Sequence, residues 1–162
     1  MKDTFRQERA RQGRLVGRLL HTYFLATRAL TIGVRAVVFS DEGNVLLVRH
    51  RYTAGWHFPG GGVEKGETAE QALAAELGQE TGLVLYHAPR LHGAFFNRAV
   101  SDRDHVLVYQ CDVTGSLPAS PPSAEIAELG YFDPQALPDD IDPGTRRRLD
   151  EILRGVPQTA DW

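Results

Sequence analysis

The strongest constraint on the fold of this chain is a glycine-rich turn that leads into a helix. Residues typical of helix ends lie at both ends of this helix. The turn is Phe58-Pro-Gly-Gly-Gly62, and a glycine cluster of this kind indicates a tight loop with close backbone approach. Thr68 and Gln71 have the spacing of a capping box, which predicts the start of a helix. Gly82 has the position of the left-handed glycine that ends one. The sequence therefore predicts a glycine turn followed directly by a short helix.

Two carboxylates share one face of this predicted helix. Glu76 and Glu80 are four residues apart, so both side chains project from the same face. Like charges at this spacing destabilise an isolated helix by about 0.2–0.5 kcal/mol, and a divalent cation would remove that repulsion. Mg²⁺ and Mn²⁺ prefer oxygen ligands of this kind. From the residues alone, a solvated pair of glutamates remains the alternative to a metal site.

The segment from Gly61 to Leu83 resembles the signature of the Nudix hydrolases. That signature is a glycine, five residues, a glutamate, seven residues, and then Arg-Glu-aliphatic-x-Glu-Glu-x-Gly-aliphatic. The runs 55–62 and 125–132 are also similar to this family, and the resemblance covers about residues 31–155. The positions that match the signature are Gly61, Glu67, Glu76, Leu77, Glu80, Gly82 and Leu83.

The resemblance implies an α/β (α+β) Nudix fold, a three-layer α/β/α sandwich around a mixed β-sheet. This domain is expected over residues 31–162, with an added basic helix within residues 1–30. Apolar patterning predicts strands over 33–39 and 45–50, joined as a hairpin, and longer strands over 83–97 and 104–114. A short strand over 127–132 and a closing helix over 143–154 complete the prediction.

The resemblance also implies an activity, which is hydrolysis of the pyrophosphate linkage in a nucleoside diphosphate joined to another group. The cofactor implied is Mg²⁺, with Mn²⁺ as a second candidate. The implied metal ligands are the carbonyl of Gly60, Glu76, Glu80 and the neutral amide of Gln79. The implied catalytic residues are Glu76, Glu80 and Glu125. Glu128 is a further candidate for the late-loop carboxylate, and a solvated loop role is the alternative for both Glu125 and Glu128.

Further residues are expected to shape the site or contact the substrate. Glu67 is expected to brace the loop before the helix, together with Gly61 and Gly82 of the signature. Arginine makes paired hydrogen bonds to phosphate, and aromatic rings stack on bases. The candidates for substrate binding are Arg49, Arg51, Tyr52 and Trp56, for which solvent exposure or core packing is the alternative.

Two departures from the signature weaken the expected metal site. Ala75 replaces the arginine of the signature, and Gln79 replaces its first paired glutamate. In the signature, this arginine and this glutamate are four positions apart, so they would touch across one helical turn. Because one positive and one negative side chain are both absent here, their joint loss is charge-neutral. It still removes one carboxylate ligand and one orienting group, which predicts fewer or more weakly held metal ions. The alternative function is a Nudix-fold module that binds nucleotides or regulates, with weakened catalysis.

Composition limits the classes of partner. The net charge of −3 divides into +5 for residues 1–30 and −8 for the remainder. The net negative charge of residues 31–162 argues against stable nucleic-acid binding, because phosphate contacts need a positive surface. It is compatible with a small phosphate-bearing substrate when metal ions lie between the charges. A small nucleoside diphosphate derivative is therefore the expected partner.

The N-terminal region leaves several alternatives open. A helix is predicted over residues 5–30, and docking on the domain, homodimer formation or binding to a membrane surface would each use its apolar face. Its uncharged stretch from Leu19 to Thr27 is too short to span a bilayer. Cys111 is the single cysteine, which excludes an internal disulfide. With no secretion signal in the pattern, a cytoplasmic location is expected.

Overall fold

The computed structural model describes Tyr23 and residues 29–162 of the chain. The basic helix predicted over residues 5–30 lies outside the described residues, apart from Tyr23 and the last two positions, so it stays a prediction. Residues Thr31–Trp162 form one compact unit. Within the described part of the chain, no helix has the length and apolar character needed to cross a membrane.

Eight strands and two helices make up this unit. The predicted strands over 83–97 and 104–114 are each divided into a short and a longer piece. The elements are β1 (Thr31–Val38), β2 (Val45–His50), β3 (Trp56–His57), α1 (Ala69–Thr81), β4 (Val84–Leu85), β5 (Arg90–Phe96), β6 (Asp104–Cys111), β7 (Val113–Thr114), β8 (Ile126–Phe132) and α2 (Pro143–Arg154).

The strands form three small sheets. The first has the order β1-β6-β5, with β1 parallel to β6 and β5 antiparallel to it. The second has the order β3-β2-β8 and is antiparallel throughout. The third pairs the short strands β4 and β7. The parallel pairing of β1 with β6 makes the first sheet mixed, as predicted.

The hairpin predicted from residues 33–39 and 45–50 forms only at its turn, and the prediction that the two strands pair with each other is wrong. The Ser40 amide donates to the Asn44 carbonyl at 2.8 Å, and Phe39 and Val45 form an isolated antiparallel bridge. Past this point β1 joins β6 and β2 joins β8. A short turn fixes only the residues beside it, whereas a strand that is covered on both faces is suited to parallel pairing.

Two apolar cores lie on opposite sides of the strands. One core packs Val34 and Leu46 against Leu73 and Leu77 of α1. The other includes Val37, Leu47 and Phe95 together with Leu149 of α2. Successive strand residues point to opposite faces, which is why neighbours such as Leu46 and Leu47 belong to different cores. The result is the predicted three-layer α/β/α arrangement.

Candidate active site

Helix α1 positions the two central carboxylates. Thr68 and Gln71 form the predicted capping box, with the Gln71 amide donating to Thr68 Oγ1 at 3.2 Å and the Thr68 amide donating to Gln71 Oε1 at 2.8 Å. Gly82 ends the helix in the left-handed conformation, at φ 75°. Because these caps fix both ends, the helical positions of Glu76 and Glu80 are set by local sequence.

Glu80 is a buried carboxylate. Its side chain lies next to the glycine turn, where the Gly60 amide donates to Oε2 at 2.8 Å. The other oxygen, Oε1, is 3.5 Å from Nε2 of His50. Burial raises the pKa of Glu80 to about 7, while the hydrogen bond from Gly60 and the charge of Arg35 act in the opposite direction. Glu80 therefore exchanges a proton near neutral pH in the metal-free protein.

Glu76 lies one turn earlier and faces the same glycine turn. Its carboxylate rests against Gly61, where any β-carbon would overlap it. Burial raises the pKa of Glu76, and the negative charges of Glu125, Glu67 and Glu64 add to this effect. A β-carbon at position 61 would therefore displace the Glu76 carboxylate from its place against the turn.

The glycine turn is held along strand β1. The Val34 amide donates to the Gly61 carbonyl at 2.9 Å, and the Ala36 amide donates to the Pro59 carbonyl at 2.8 Å. Between them, the Arg35 guanidinium donates to the Gly60 carbonyl. The carbonyl that the resemblance implies as a metal ligand is therefore already oriented by a side chain.

Glu125, and not Glu128, lies near the helix carboxylates. Its negative charge raises the pKa of both Glu76 and Glu80. Glu128 instead accepts a hydrogen bond from Arg49 at 3.3 Å. The two late-loop candidates therefore have different surroundings, and a catalytic role for Glu125 stays a prediction.

The remaining signature residues take structural or exposed positions. Glu67 accepts a hydrogen bond from the Glu64 amide, which closes the turn before α1 and agrees with a bracing role. Gln79 and Ala75 are both exposed, on the outer side of α1. A ligand role for Gln79 therefore depends on a metal that reaches the outer side of the helix, and it stays a prediction.

Both predicted substrate-binding arginines have partners within the protein, and the Arg49 guanidinium lies over the Trp56 ring, 5.4 Å from its centroid. Arg49 pairs with Asp140 as well as Glu128, and Arg51 donates from Nε to the Ala124 carbonyl at 2.9 Å. The Arg51 backbone amide also donates to the Glu125 carbonyl at 2.9 Å. Arg51 therefore fixes the loop that carries Glu125.

The two predicted stacking residues have opposite environments. Trp56 is 7% exposed, and its ring packs edge-on against Phe132 with centroids 4.6 Å apart. Tyr52 is 90% exposed. Because the indole is largely covered by the protein itself, only Tyr52 of these two offers an open aromatic face to a substrate ring.

Two residues at the site, Arg35 and His50, were not among the candidates from the sequence. Arg35 was not singled out, although an arginine inside the apolar run 33–39 is an unusual choice for a strand with buried neighbours. The second is His50, whose Nε2 lies 3.5 Å from Oε1 of Glu80. Burial lowers the pKa of His50, and the charge of Arg35 acts in the same direction.

The donor set fits a divalent cation that shares its shell with a substrate. Among the described residues, no three His, Cys, Asp or Glu side chains are grouped closely enough to hold a metal by themselves. Mg²⁺ is commonly bound through one or two carboxylates together with water and substrate phosphates. Two partly desolvated carboxylates that repel one another, next to a backbone carbonyl, are suited to that mode of binding.

The raised pKa of Glu80 predicts how the stability of the metal-free protein depends on pH. The unfolded carboxyl loses its proton near pH 4.5 and the folded one near pH 7. The free energy of unfolding should therefore fall by on the order of 2–3 kcal/mol as pH rises across this interval, because the folded state retains the proton longer. Urea denaturation in EDTA at several pH values, with Glu80→Gln as reference, measures this difference. Parallel pH profiles for the two proteins would contradict it.

Comparison with known proteins agrees with this geometry. The NUDIX domain family model matches residues 29–152. A Bacillus subtilis (strain 168) protein provisionally named 8-oxo-dGTP diphosphatase is 28% identical over 126 residues, which cover 78% of this chain and 82% of that protein. An RNA pyrophosphohydrolase of Serratia proteamaculans (strain 568) is 46% identical over 50 residues, 31% of this chain and 29% of that protein.

Solved structures resemble the same part of the chain. The crystal structure of a MutT NUDIX hydrolase from Burkholderia pseudomallei matches with a TM-score of 0.66 at 24% sequence identity. The match covers 75% of this chain and 97% of that one. At this level of identity the likeness concerns the fold.

Proposed function

The chain belongs to the Nudix family, and from that premise we propose that it is a Mg²⁺-dependent enzyme that cleaves the pyrophosphate of a nucleoside diphosphate joined to another group. It is a hydrolase that acts on pyrophosphate bonds. The observation that carries the finer proposal is the position of Glu80. A buried carboxylate, bonded to the glycine turn and near Glu76 and Glu125, is costly to keep without a cation or a proton.

The residues of the site suggest how the reaction proceeds. A bound divalent ion supplies positive charge to the pyrophosphate oxygens and orients them. A water oxygen then bonds to one phosphorus while the bridging P–O bond breaks, which yields a nucleoside monophosphate and the second group as its phosphate. Glu80 is proposed to accept the proton of this water, because its carboxylate lies beside the glycine turn, where the cation and the pyrophosphate would bind.

The other carboxylates have supporting roles in this proposal. Glu76 faces Gly61 on the same side of α1 and adds negative charge where the cation binds. Glu125 approaches from the loop before β8 and is proposed as a further ligand or base. Tyr52 and Arg51 lie on the neighbouring loop and are proposed to contact the group attached to the diphosphate.

Release of nucleoside monophosphate from a panel of nucleoside triphosphates, nucleotide sugars, ADP-ribose and dinucleoside polyphosphates tests the proposal. Turnover is expected with Mg²⁺ or Mn²⁺ and should be lost in EDTA, because the desolvated carboxylates need the cation to bind phosphate. The preferred compound names the substrate class. Turnover that persists in EDTA would contradict the dependence on metal.

A second candidate function is a nucleotide-binding module with weakened catalysis, and Ala75 and Gln79 are the residues that favour it. Such a module would be stabilised by nucleotide without converting it. At a ligand concentration 100 times Kd, the stabilisation is about 2.7 kcal/mol and raises the melting temperature. Product that accumulates linearly past one equivalent of enzyme rejects this candidate.

A further inference from the structure

Arg35 is a charged residue inside an apolar strand. Its neighbours Val34 and Ala36 are fully buried and pack in the core beneath α1. Because strand residues alternate between faces, the Arg35 side chain leaves β1 on the other side from these two. There it donates from Nη1 to the carbonyl of Gly60.

Three successive residues of β1 hold three successive carbonyls of the glycine turn. The backbone amides of Ala36 and Val34 bind the carbonyls of residues 59 and 61. The carbonyl between them is bound by the Arg35 guanidinium. Gly60 is thereby fixed at both ends, since its amide donates to Glu80. A continuous chain of hydrogen bonds runs from Arg35 through Gly60 to the buried carboxylate.

The charge of Arg35 acts on the same carboxylates. It lowers the pKa of Glu80 and of Glu76, opposing the effect of their burial. In return Glu80, Asp142, Glu76 and Asp104 raise the pKa of the guanidinium, which burial lowers. The guanidinium is therefore the positive side of an otherwise acidic cluster.

We propose that Arg35 is the positioning residue of this site, holding the carbonyl of Gly60, whose amide binds Glu80, and supplying there the positive charge that α1 lacks at position 75. The signature that the chain resembles has an arginine at that position, whereas Ala75 is small and exposed. The positively charged side chain thus comes from β1, forty residues earlier in the chain, in place of one from the helix. The inference rests on the proposed function, because it assigns a role within the same site.

The test compares Arg35→Gln, which removes the charge, with Arg35→Lys, which keeps it. Arg90→Gln is the matched control, since Arg90 is exposed on β5 and binds Gln110. Mn²⁺ affinity is measured without substrate by electron paramagnetic resonance of the free ion, and kcat and KM are measured with the preferred substrate of the panel.

Arg35→Gln is expected to weaken Mn²⁺ binding and to lower kcat by about 10–100-fold each, as is usual when a group that orients metal ligands is lost. KM should change by less than about 3-fold, because the residue holds the site and does not contact the substrate. The kcat of Arg35→Lys should be at least about tenfold higher than that of Arg35→Gln, since the charge remains. Arg90→Gln should behave as the wild type.

Several results would overturn the proposal. Unchanged Mn²⁺ binding in Arg35→Gln would show that the guanidinium has no effect on the metal site, and tighter binding would show that it repels the ion. A rise in KM alone would make Arg35 a substrate ligand. If Arg35→Gln melts below the assay temperature, the test rests on Arg35→Lys. A folded Arg35→Lys protein whose kcat is as low as that of the wild type in EDTA would contradict the role of the charge.

The Mn²⁺ measurement separates this inference from the proposed function. Weaker Mn²⁺ binding in Arg35→Gln supports the role of Arg35 even where the panel shows no turnover. Conversely, if the wild type turns over substrate and Arg35→Gln does so equally well, the role of Arg35 is rejected while the proposed hydrolase activity stands.

Discussion

Glu80→Gln is expected to reduce metal-dependent turnover by about 10²–10⁴-fold, the range found when a positioned acid–base group is removed. Glutamine preserves the shape and can still accept the hydrogen bond from the Gly60 amide. It provides neither negative charge for a cation nor a site for the proton of the attacking water. The measurement is nucleoside monophosphate release at saturating Mg²⁺, with Glu70→Gln, on the first turn of the same helix, as the matched control.

Loss of activity in Glu80→Gln is separable from loss of folding. Because burial raises the pKa of Glu80 to about 7, its ionised form is unfavourable in the metal-free fold above that pH. The variant should therefore melt at the same temperature as the wild type or higher at pH 8 in EDTA. Wild-type turnover in a folded Glu80→Gln protein would show that the site is assigned to the wrong helix face.

Gly60→Ala is expected to destabilise the protein by about 3 kcal/mol or more, from backbone strain and overpacking together. Gly60 has φ 145°, a region that L-residues rarely adopt. A β-carbon there would overlap the Val34 carbonyl oxygen and lie 2.9 Å from its carbonyl carbon. Since both belong to the β1 backbone, neither can rotate away. Urea denaturation measures the loss.

Gly62→Ala is the matched control for that variant. Gly62 is two residues later in the same turn, and a β-carbon added there would meet no other atom within 4 Å. Its substitution should change the free energy of unfolding by less than about 1 kcal/mol. A Gly60→Ala protein as stable as Gly62→Ala would mean that the turn relaxes away from β1, and the orientation of the Gly60 carbonyl would then not be fixed by the fold.

Residues close in sequence were predicted well. The ends of α1 follow from Thr68, Gln71 and Gly82, whose side chains and backbone act within one helical turn. The common face of Glu76 and Glu80 follows from helical periodicity alone. The signature spacing was sufficient to identify the family and, through it, the three layers of the fold.

Pairing between distant segments was predicted less well. The turn at Ser40–Asn44 suggested a hairpin, but β1 pairs with β6, about seventy residues later in the chain. Strand patterns give the faces of a strand and leave its partners open, because several apolar strands satisfy the same alternation. The surroundings of Glu125 and Glu128 also depend on contacts distant in sequence, since β8 pairs with β2 and the Arg51 amide binds the Glu125 carbonyl.

The sequence by itself determined the capped helix, the glycine turn, the pair of carboxylates and the absence of a cation at position 75, because each is a matter of residue type and short-range spacing. Only the tertiary structure decided that Glu80 is buried and that Arg35 binds the carbonyl of Gly60. Burial and electrostatic environment depend on which segments fold against a residue. Here those segments lie twenty to forty-five residues apart in the chain, beyond the reach of helical or strand periodicity.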